Sequence, residues 1–343
     1  MALASETIDP LKDERWQRFV DGNDSARIFH HREWLALLHK QYGYPIEARC
    51  ISSAGEIVAG IPVAYVRSAL TGRRLVSIPF SDTCSPLLLD PRDSSTLDLL
   101  LRELRETHLR RRLDVEIRAG LPGIGRPGER FYAHELPLAD GVQVVSSRFS
   151  KMTARGVARS RRDGVEVLCA RDVGALQDFY RLHLETRHRQ GMPTQPKRFV
   201  ERFAALFERS LGFVLLARYE QRTIAAAVFL CFNGVLTYKY GASRRADLIH
   251  RPNNAIFAEA IDWACARGMH TLDLGRTDID NDGLRAFKRG WGAQERVLAY
   301  TLLSSRAARP ALPRTRRVLR STISHTPPVT GRMIGATLYR HFG

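Results

Sequence analysis

The sequence contains no apolar run that approaches the ~20 residues a membrane-spanning helix requires. Its first 16 residues are polar and acidic, whereas a secretory signal peptide begins with basic residues and continues with apolar ones. These two absences predict a protein of the cytoplasm. Peripheral contact with the cytoplasmic face of the inner membrane stays open, because such contact needs neither feature.

Cysteine is scarce, and the cysteines do not have the spacing of a metal site. The five cysteines lie far apart with no C-x-x-C pair, which is typical of reduced thiols in apolar segments. Histidine does not supply a site either. No H-E-x-x-H occurs, and His183 and His188 would fall on different faces of a helix. The sequence therefore predicts no bound metal.

The sequence contains one glycine pattern typical of nucleotide cofactor sites, but its context does not fit such a site. The pattern G-x-G-x-x-G occurs at Gly123, Gly125 and Gly128, but Pro122 and Pro127 interrupt it and a strand-like segment follows. A dinucleotide fingerprint must instead open a helix, whose first N–H groups meet the pyrophosphate. The segment is predicted to be a loop, and no resident cofactor is expected.

Positive charge, in contrast, is abundant and clustered. The net charge is +17; residues 148–162 hold six Lys or Arg and residues 306–343 hold eight Arg, with no acidic residue in either stretch. Such density favours a phosphate-bearing partner such as RNA, a nucleotide diphosphate or an anionic lipid, although a solvated face is the alternative for any charge run. Residues 306–343 are predicted to form a basic, loosely ordered tail, with the inner membrane as one partner.

The order of secondary-structure elements repeats along the chain. Residues 46–117 read as β-β-β-α-β, and residues 213–274 repeat this order about 160 residues later. The repeat predicts an α/β (α+β) fold with two tandem domains, 1–145 and 146–305, each a mixed, mainly antiparallel sheet flanked by helices. A basic helix near 148–162 is expected to join them.

One stretch concentrates glycine and charge. Residues 275–294, GRTDIDNDGLRAFKRGWGAQ, contain four glycines around a single lysine, Lys288. Glycine is retained where the backbone must turn sharply or approach another group closely. A helix is predicted from about Asn253 to Arg267, with Pro252 suited to its start, and its unpaired N–H groups would face the same loops. The pattern indicates a substrate mouth at the ends of two strands, with ordinary turns and caps as the alternative.

Three segments of this region carry a family resemblance. They are YKYGAS (238–243), RPNNAIFAEAIDWACARGMHTLDLGRT (251–277) and GLRAFKRGWGA (283–293), and they resemble the C-terminal half of the FemABX-like aminoacyl transferases of the GNAT acyltransferase superfamily. The resemblance covers about residues 145–303. It implies two tandem GNAT-like domains, the first of them degenerate, and transfer of an aminoacyl or acyl group to an amine.

The resemblance also implies a phosphate-bearing donor that acts as a cosubstrate. In the best known members the donor is an aminoacyl-tRNA and the acceptor is a peptidoglycan precursor, whereas other GNAT enzymes use acyl-CoA. Acyl-CoA enzymes typically carry a Q/R-x-x-G-x-G/A turn. Residues 243–255, SRRADLIHRPNNA, stand in its place without a glycine, which counts against ordinary CoA binding.

Site residues follow from the same resemblance. Lys288 matches the lysine of the family's F-K-x-x-W-G motif, and it is expected to place a cation near the oxyanion or the leaving group. Tyr240 is expected to orient or protonate the leaving group, and Asp273 to position the amine. The predicted substrate-binding residues are Arg276, Arg244, Arg245, Asn253, Asn254, Arg155, Arg159 and Trp291.

Three functions fit these patterns. The first is an aminoacyl or acyl N-transferase that acts in bacterial envelope, peptidoglycan or exopolysaccharide biosynthesis, on a lipid- or nucleotide-linked amine. The second is a GNAT-type N-acyltransferase that uses acyl-CoA or an acyl carrier protein and a small amine. The third is a non-catalytic protein that binds RNA or a membrane on a transferase scaffold.

Overall fold

The structure, a computed structural model, describes residues 2–68, 72–121 and 123–303, together with 331, 335 and 339–341. The predicted basic tail lies almost entirely outside these residues. The chain forms two compact units: the first runs to Arg130 and takes in the strand residues from Leu298, and the second runs from Phe131 to Val297. None of the described helices is long and apolar enough to span a bilayer.

The first unit is built on an antiparallel meander that ends in one parallel pair of strands. Its strands are β1 (Leu3–Ile8), β2 (Ile46–Ser53), β3 (Glu56–Ser68), β4 (Gly72–Val76), β5 (Leu87–Leu88) and β6 (Asp114–Ile117). They lie in the order β1-β2-β3-β4-β6, with β5 paired to β3 and with β4 parallel to β6. Its helices are α1 (Glu14–Asp21), α2 (Arg32–Tyr42) and α3 (Ser94–Arg111).

Helix α3 covers one face of this sheet because its leucines recur at helical spacing. Leu100, Leu101 and Leu104 are buried in one cluster with Val115 and Ile117 of β6. The helix begins at an N-cap aspartate, Asp93, whose side chain accepts a hydrogen bond from the amide of Thr96. The sequence pattern by itself predicts a helix over 95–110, and the observed helix differs by one residue at each end.

The second unit contains the longer sheet. Its strands are β7 (Arg126–Pro137, of which the part from Phe131 belongs here), β8 (Glu166–Ala170), β9 (Gly212–Tyr219), β10 (Arg222–Phe232), β11 (Val235–Ser243) and β12 (Thr271–Asp278). They lie in the order β7-β12-β11-β10-β9-β8, and only the pair β11 and β12 is parallel. Strand β13 (Gln294–Leu303) completes the described strands. Its residues from Leu298 onward belong to the first unit, and there Thr301–Leu303 pair with β6.

The helices of the second unit lie on both faces of its sheet. They are α4 (Gly141–Ser147), α5 (Lys151–Arg162), α6 (Val173–Arg189), α7 (Lys197–Glu201), α8 (Phe203–Glu208), α9 (Pro252–Cys265) and α10 (Asp282–Gly290). Helix α9 buries Ile256 and Ile261 in a cluster with Leu236 of β11 and Leu272 of β12. The core beneath α9 therefore fixes these two strands, which become the centre of the candidate site.

Two predictions differ from the observed fold. Gly128 lies in β7 rather than in a loop, and a Cβ at this position would come within 3.0 Å of the Leu302 side chain. The predicted domain boundary near residue 145 differs from the division at Phe131. From that residue onward β7 pairs with β12, so the strand holds this segment in the second unit.

Candidate active site

The two parallel strands at the centre of the second unit separate at their carboxyl ends. In the described chain, β11 and β12 pair only over Val235–Thr237 and Thr271–Asp273. Beyond these residues the facing edges leave main-chain N–H and C=O groups outside the ladder. We call this opening the strand gap; it lies between residues 238–243 of β11 and 273–277 of β12.

Both strands are irregular where the gap begins. On β11 one extra residue, Lys239, interrupts the register with β10. On β12 the register with β7 shifts between Asp273 and Arg276. Bulges of this kind end pairing and re-aim side chains, and they are frequent beside active sites. Both irregularities occur where the pairing of β11 with β12 ends, and we therefore take the gap as the candidate site.

The bulge at Lys239 turns its two neighbouring tyrosines toward opposite faces of the sheet. Tyr238 lies against Phe257 of α9, with ring centroids 4.8 Å apart. Tyr240 lies on the other face, where its ring is 5.8 Å from that of His183 in α6. The structure thus places the predicted residue Tyr240 at the bulge, in an aromatic environment.

Tyr238 is a residue that the sequence analysis missed. Its hydroxyl occupies the space that a Cβ at position 241 would need, so only glycine fits there. Burial raises the pKa of Tyr238 to about 12, and the phenol therefore stays protonated at neutral pH. The signal was present in the sequence as the glycine that directly follows Y-K-Y.

His183 supports the face of β11 that carries Tyr240. Its Nε2–H donates to Oε1 of Gln195 at 2.7 Å, and its ring stacks on Phe179 with centroids 5.1 Å apart. Burial, reinforced by the charge of Arg187, lowers the pKa of His183 to about 3. The imidazole is therefore neutral at physiological pH. The sequence analysis considered this histidine only as a metal ligand, and no group of metal ligands occurs in the described residues.

We expect the free energy of unfolding to fall as the pH drops below 6.5, because the unfolded chain then binds a proton that folded His183, with its pKa of about 3, does not bind. This group alone contributes a slope of at most about 1.4 kcal/mol per pH unit. Urea unfolding at neutral and mildly acidic pH should show a shallower dependence for His183→Asn. His188→Asn, on the same helix, is the control. Equal pH dependence of wild type and His183→Asn would contradict the assignment.

Asp273 and Gly275 shape the bulge of β12. Oδ1 of Asp273 accepts a hydrogen bond from the amide of Gly275 at 2.8 Å. Gly275 has a φ of +70°, in the left-handed region that favours glycine. The aspartate therefore fixes the local turn of the strand and lies at the edge of the gap, where it was predicted to position an amine.

Lys288 holds the same bulge from its other side. Its Nζ donates to the carbonyl oxygens of Gly275 at 2.9 Å and of Arg276 at 3.1 Å, and the side chain is only 2% exposed. The structure thus brings Lys288 and Asp273 to one turn of β12. The ammonium contacts the main chain of the gap, and a direct contact with substrate stays a prediction.

Trp291 lies in the hydrophobic core rather than at the gap. Its side chain has no solvent exposure and packs edge-on against Phe149, with centroids 4.9 Å apart. A Cβ on the preceding Gly290 would come within 2.6 Å of Oγ1 of Thr153 in α5. The G-W-G sequence therefore seats the end of α10 against α5. The geometry gives no support to the predicted substrate contact of Trp291.

A partly buried ionic network lies beside Lys288 on β7, α10 and β13. Arg285 donates two hydrogen bonds to Glu295, at 2.7 and 2.8 Å, and Nε2–H of His134 donates to the same carboxylate at 3.0 Å. The Arg285 hydrogen bonds lower the pKa of Glu295 to about 2. Burial and then the charge of Lys288 lower the pKa of His134, so this imidazole is neutral. The predicted substrate-binding residue Arg276 lies outside this network, and its guanidinium carbon is 4.1 Å from the ring centroid of Phe131.

The loop between β11 and α9 carries two predicted phosphate ligands. Residues 246–250 form a 3-10 segment, and Arg245, which precedes it, is exposed. Nε of Arg244 lies 3.5 Å from a carboxylate oxygen of Asp247. Asn253, in the first turn of α9, is half-buried. The loop therefore presents guanidinium groups beside the start of a helix.

Helix α5 packs beside that start and contributes the other predicted residues. Asn254 fits against Gly156, where a Cβ would lie 2.7 Å from the amide nitrogen of the Asn254 side chain. Arg155 is exposed, and Arg159 lies 3.4 Å from the carboxylate of Asp163. Asn254 thus has a packing role, whereas Arg155 stays open to a ligand.

The second unit, which contains the strand gap, matches the model of a known protein family. Residues 147–289 match the family model described as an acetyltransferase (GNAT) domain, which confirms the predicted enzyme class for the second unit. No curated protein sequence matches the chain in direct comparison.

Solved structures share the fold over nearly the whole chain. FemX aligns with a TM-score of 0.67 at 15% identity, covering 87% of this chain and 96% of FemX. The C-terminal domain of a putative lysylphosphatidylglycerol synthetase from Agrobacterium fabrum aligns with a TM-score of 0.56 at 12% identity, covering 90% and 95%. A tandem GNAT protein from the clavulanic acid biosynthesis pathway aligns at 0.51 and 12%, covering 90% and 100%. The predicted FemABX-like, tandem GNAT fold is therefore confirmed.

Proposed function

We propose that the second unit transfers an aminoacyl or acyl group to an amine at the strand gap. The observation that carries this proposal is the separation of β11 from β12, with a bulge on each strand at the point of separation. The amine nitrogen attacks the carbonyl carbon of an activated donor. The bond to the leaving oxygen or sulfur breaks, the leaving atom takes a proton, and the nitrogen loses one.

The residues of the gap fit the demands of this reaction. Open main-chain N–H groups can receive the negative charge that develops on the carbonyl oxygen. Lys288 donates to the peptide carbonyls of Gly275 and Arg276, and this polarises the N–H groups of the same peptides. In the proposed mechanism Tyr240 supplies the proton of the leaving group and Asp273 positions the incoming amine.

The start of α9 favours an aminoacyl ester over a coenzyme A thioester as donor. Pro252 at the first position has no N–H, and the amides of Asn254 and Ala255 both donate to the carbonyl of Arg251. Few helix N–H groups remain to cradle a pyrophosphate. In the proposal Arg244 and Arg245 bind donor phosphates through their side chains, as suits the backbone of a charged tRNA.

The acceptor we propose is an amine of an envelope precursor linked to a lipid or a nucleotide. One structural relative is named as a putative synthetase of lysylphosphatidylglycerol, which is an aminoacylated lipid. Its fold extends over 90% of this chain, so the same scaffold is compatible with aminoacyl transfer near a membrane. Peptidoglycan and exopolysaccharide precursors are the first acceptors to assay.

Acyl-CoA remains the second candidate donor. The matching family model is described as an acetyltransferase domain, and the tandem GNAT relative from the clavulanic acid pathway is described as a form without acetyl-CoA, which names acetyl-CoA as a ligand of that protein. The two donors make opposite demands on the loop before α9, because a tRNA needs side-chain cations where coenzyme A needs main-chain amides.

The test supplies purified protein with charged tRNA or acetyl-CoA and a panel of amine acceptors. We expect amide formation from charged tRNA, and we expect Arg245→Glu to raise the donor KM by about tenfold with little change in kcat. Arg198→Glu, another exposed arginine of the second unit, is the matched control. Transfer from acetyl-CoA alone would overturn the tRNA proposal. Amide formation from neither donor with any acceptor would count against transfer itself.

A further inference from the structure

The first unit contains a cavity whose wall is dominated by arginine. Its volume is about 300 Å³, within the size range of small-molecule sites. The lining residues are Tyr65, Val66, Arg67, Arg73, Arg74, Arg111 and Leu113. Four of these seven residues are thus arginines. Arg67, Arg73 and Arg111 are exposed, whereas Arg74 lies on the opposite face of β4 from Arg73 and is partly buried.

The cavity lies at the amino ends of a parallel strand pair, whereas the strand gap of the second unit lies at the carboxyl ends of such a pair. Strands β4 and β6 run parallel from the pair Arg74 and Asp114, so the cavity is at their amino ends. The strand gap of the second unit opens at the carboxyl ends of its parallel pair. The arginines also belong to neither of the basic stretches that the sequence shows at 148–162 and 306–343. The cavity is therefore a separate basic feature of the fold.

Convergence of like charges has an electrostatic cost. Arg111 is held against Tyr65, with its guanidinium 5.5 Å from the ring centroid and a hydrogen bond to the hydroxyl. Burial is the largest effect on Arg74 and lowers its pKa, although the charges of Glu116 and Glu129 act in the opposite direction. Arg67, Arg73 and Arg111 are exposed, so water and salt screen part of their repulsion, and an anion in the cavity would relieve the rest.

We propose that this cavity binds a phosphate-bearing ligand, with a diphosphate group as the best match. A guanidinium forms two parallel hydrogen bonds to phosphate oxygens, so neighbouring arginines can share the oxygens of a diphosphate. A soluble nucleoside diphosphate presents this group, and the headgroup of an anionic phospholipid presents the phosphate oxygens of a single phosphodiester. The proposal does not depend on the chemistry at the strand gap.

Calorimetric titration of the full chain with inorganic pyrophosphate tests the site. We expect binding that weakens with added salt, and at least a tenfold loss of affinity, roughly, in the Arg73→Gln/Arg111→Gln variant. Arg102→Gln/Arg105→Gln removes the same charge from exposed positions of α3 and should bind like wild type. Further arms with a nucleoside diphosphate and with vesicles containing anionic phospholipid identify the source of the phosphate.

Three results would overturn the proposal: absence of pyrophosphate binding by wild type, unchanged affinity in Arg73→Gln/Arg111→Gln, or an equal loss in both double variants.

Thermal unfolding supplies a second readout. Relief of repulsion should leave the ligand-free cavity variant at least as stable as wild type, whereas pyrophosphate should raise the Tm of wild type only. A lower Tm of the ligand-free variant, with no difference in binding, would indicate a purely structural role.

Discussion

Replacement of Lys288 by methionine should lower the rate of transfer by about a hundredfold or more, a loss of the size seen when one oxyanion donor is removed. Methionine preserves the apolar stem but removes the ammonium that donates to the carbonyls of Gly275 and Arg276. These acceptors lie at the bulge of β12, so the turn that borders the gap loses its support. We also expect a loss of roughly 1–3 kcal/mol in stability for each buried acceptor left without its donor.

The rate and the stability can be separated by experiment. Transfer should be measured at a temperature at which circular dichroism shows Lys288→Met fully folded, so that a lower rate reports on the site. Arg289→Met, at the neighbouring exposed position of α10, is the matched control and should retain the wild-type rate. Full activity of folded Lys288→Met would refute both the catalytic prediction and the positioning role.

Replacement of Trp291 by alanine should destabilise the second unit by about 3–5 kcal/mol, the range for removal of a buried large aromatic side chain. The indole has no solvent exposure, and its neighbours include Phe257 of α9 and Phe287 of α10. The cavity left by its loss would loosen the contact between the helix that carries Lys288 and the helix that covers β11 and β12.

Chemical denaturation measures this effect, with Trp263→Ala as a comparison. Trp263 is only partly buried and carries Arg267 over its ring at 4.2 Å, so its removal should cost less. Where Trp291→Ala is folded, the KM values for donor and acceptor should be unchanged. Wild-type stability together with a raised KM would instead support the predicted substrate contact.

The framework of the second unit was accessible from the sequence because its elements are long and strongly patterned. The sequence predicts a helix from 253 to 267 and a strand from 270 to 274, where the structure has α9 (Pro252–Cys265) and β12 (Thr271–Asp278). Both are apolar on the faces that meet in the core, and Pro252 marks the start of the helix. The order of elements then led to the correct fold.

The partners within the candidate site could not be read in the same way. Lys288 binds main-chain carbonyls. Every residue has such a carbonyl, so the sequence does not show which residues accept the hydrogen bonds of Lys288. Local patterns also do not reveal that β7 pairs with β12, since strand pairing over more than 100 residues depends on the whole sheet. Trp291 and Lys288 belong to one sequence motif. The structure alone shows that Trp291 packs in the core while Lys288 lies at the gap.

The hydrogen bonds of Lys288 have a further consequence for a protein that handles activated acyl groups. An amine with a free lone pair beside such a donor would compete with the proper acceptor and become acylated itself. Nζ of Lys288 donates to two main-chain carbonyls and the side chain is only 2% exposed, so these contacts must break before the amine can attack a donor. We therefore expect Lys288 to be acylated far more slowly than an exposed lysine such as Lys151.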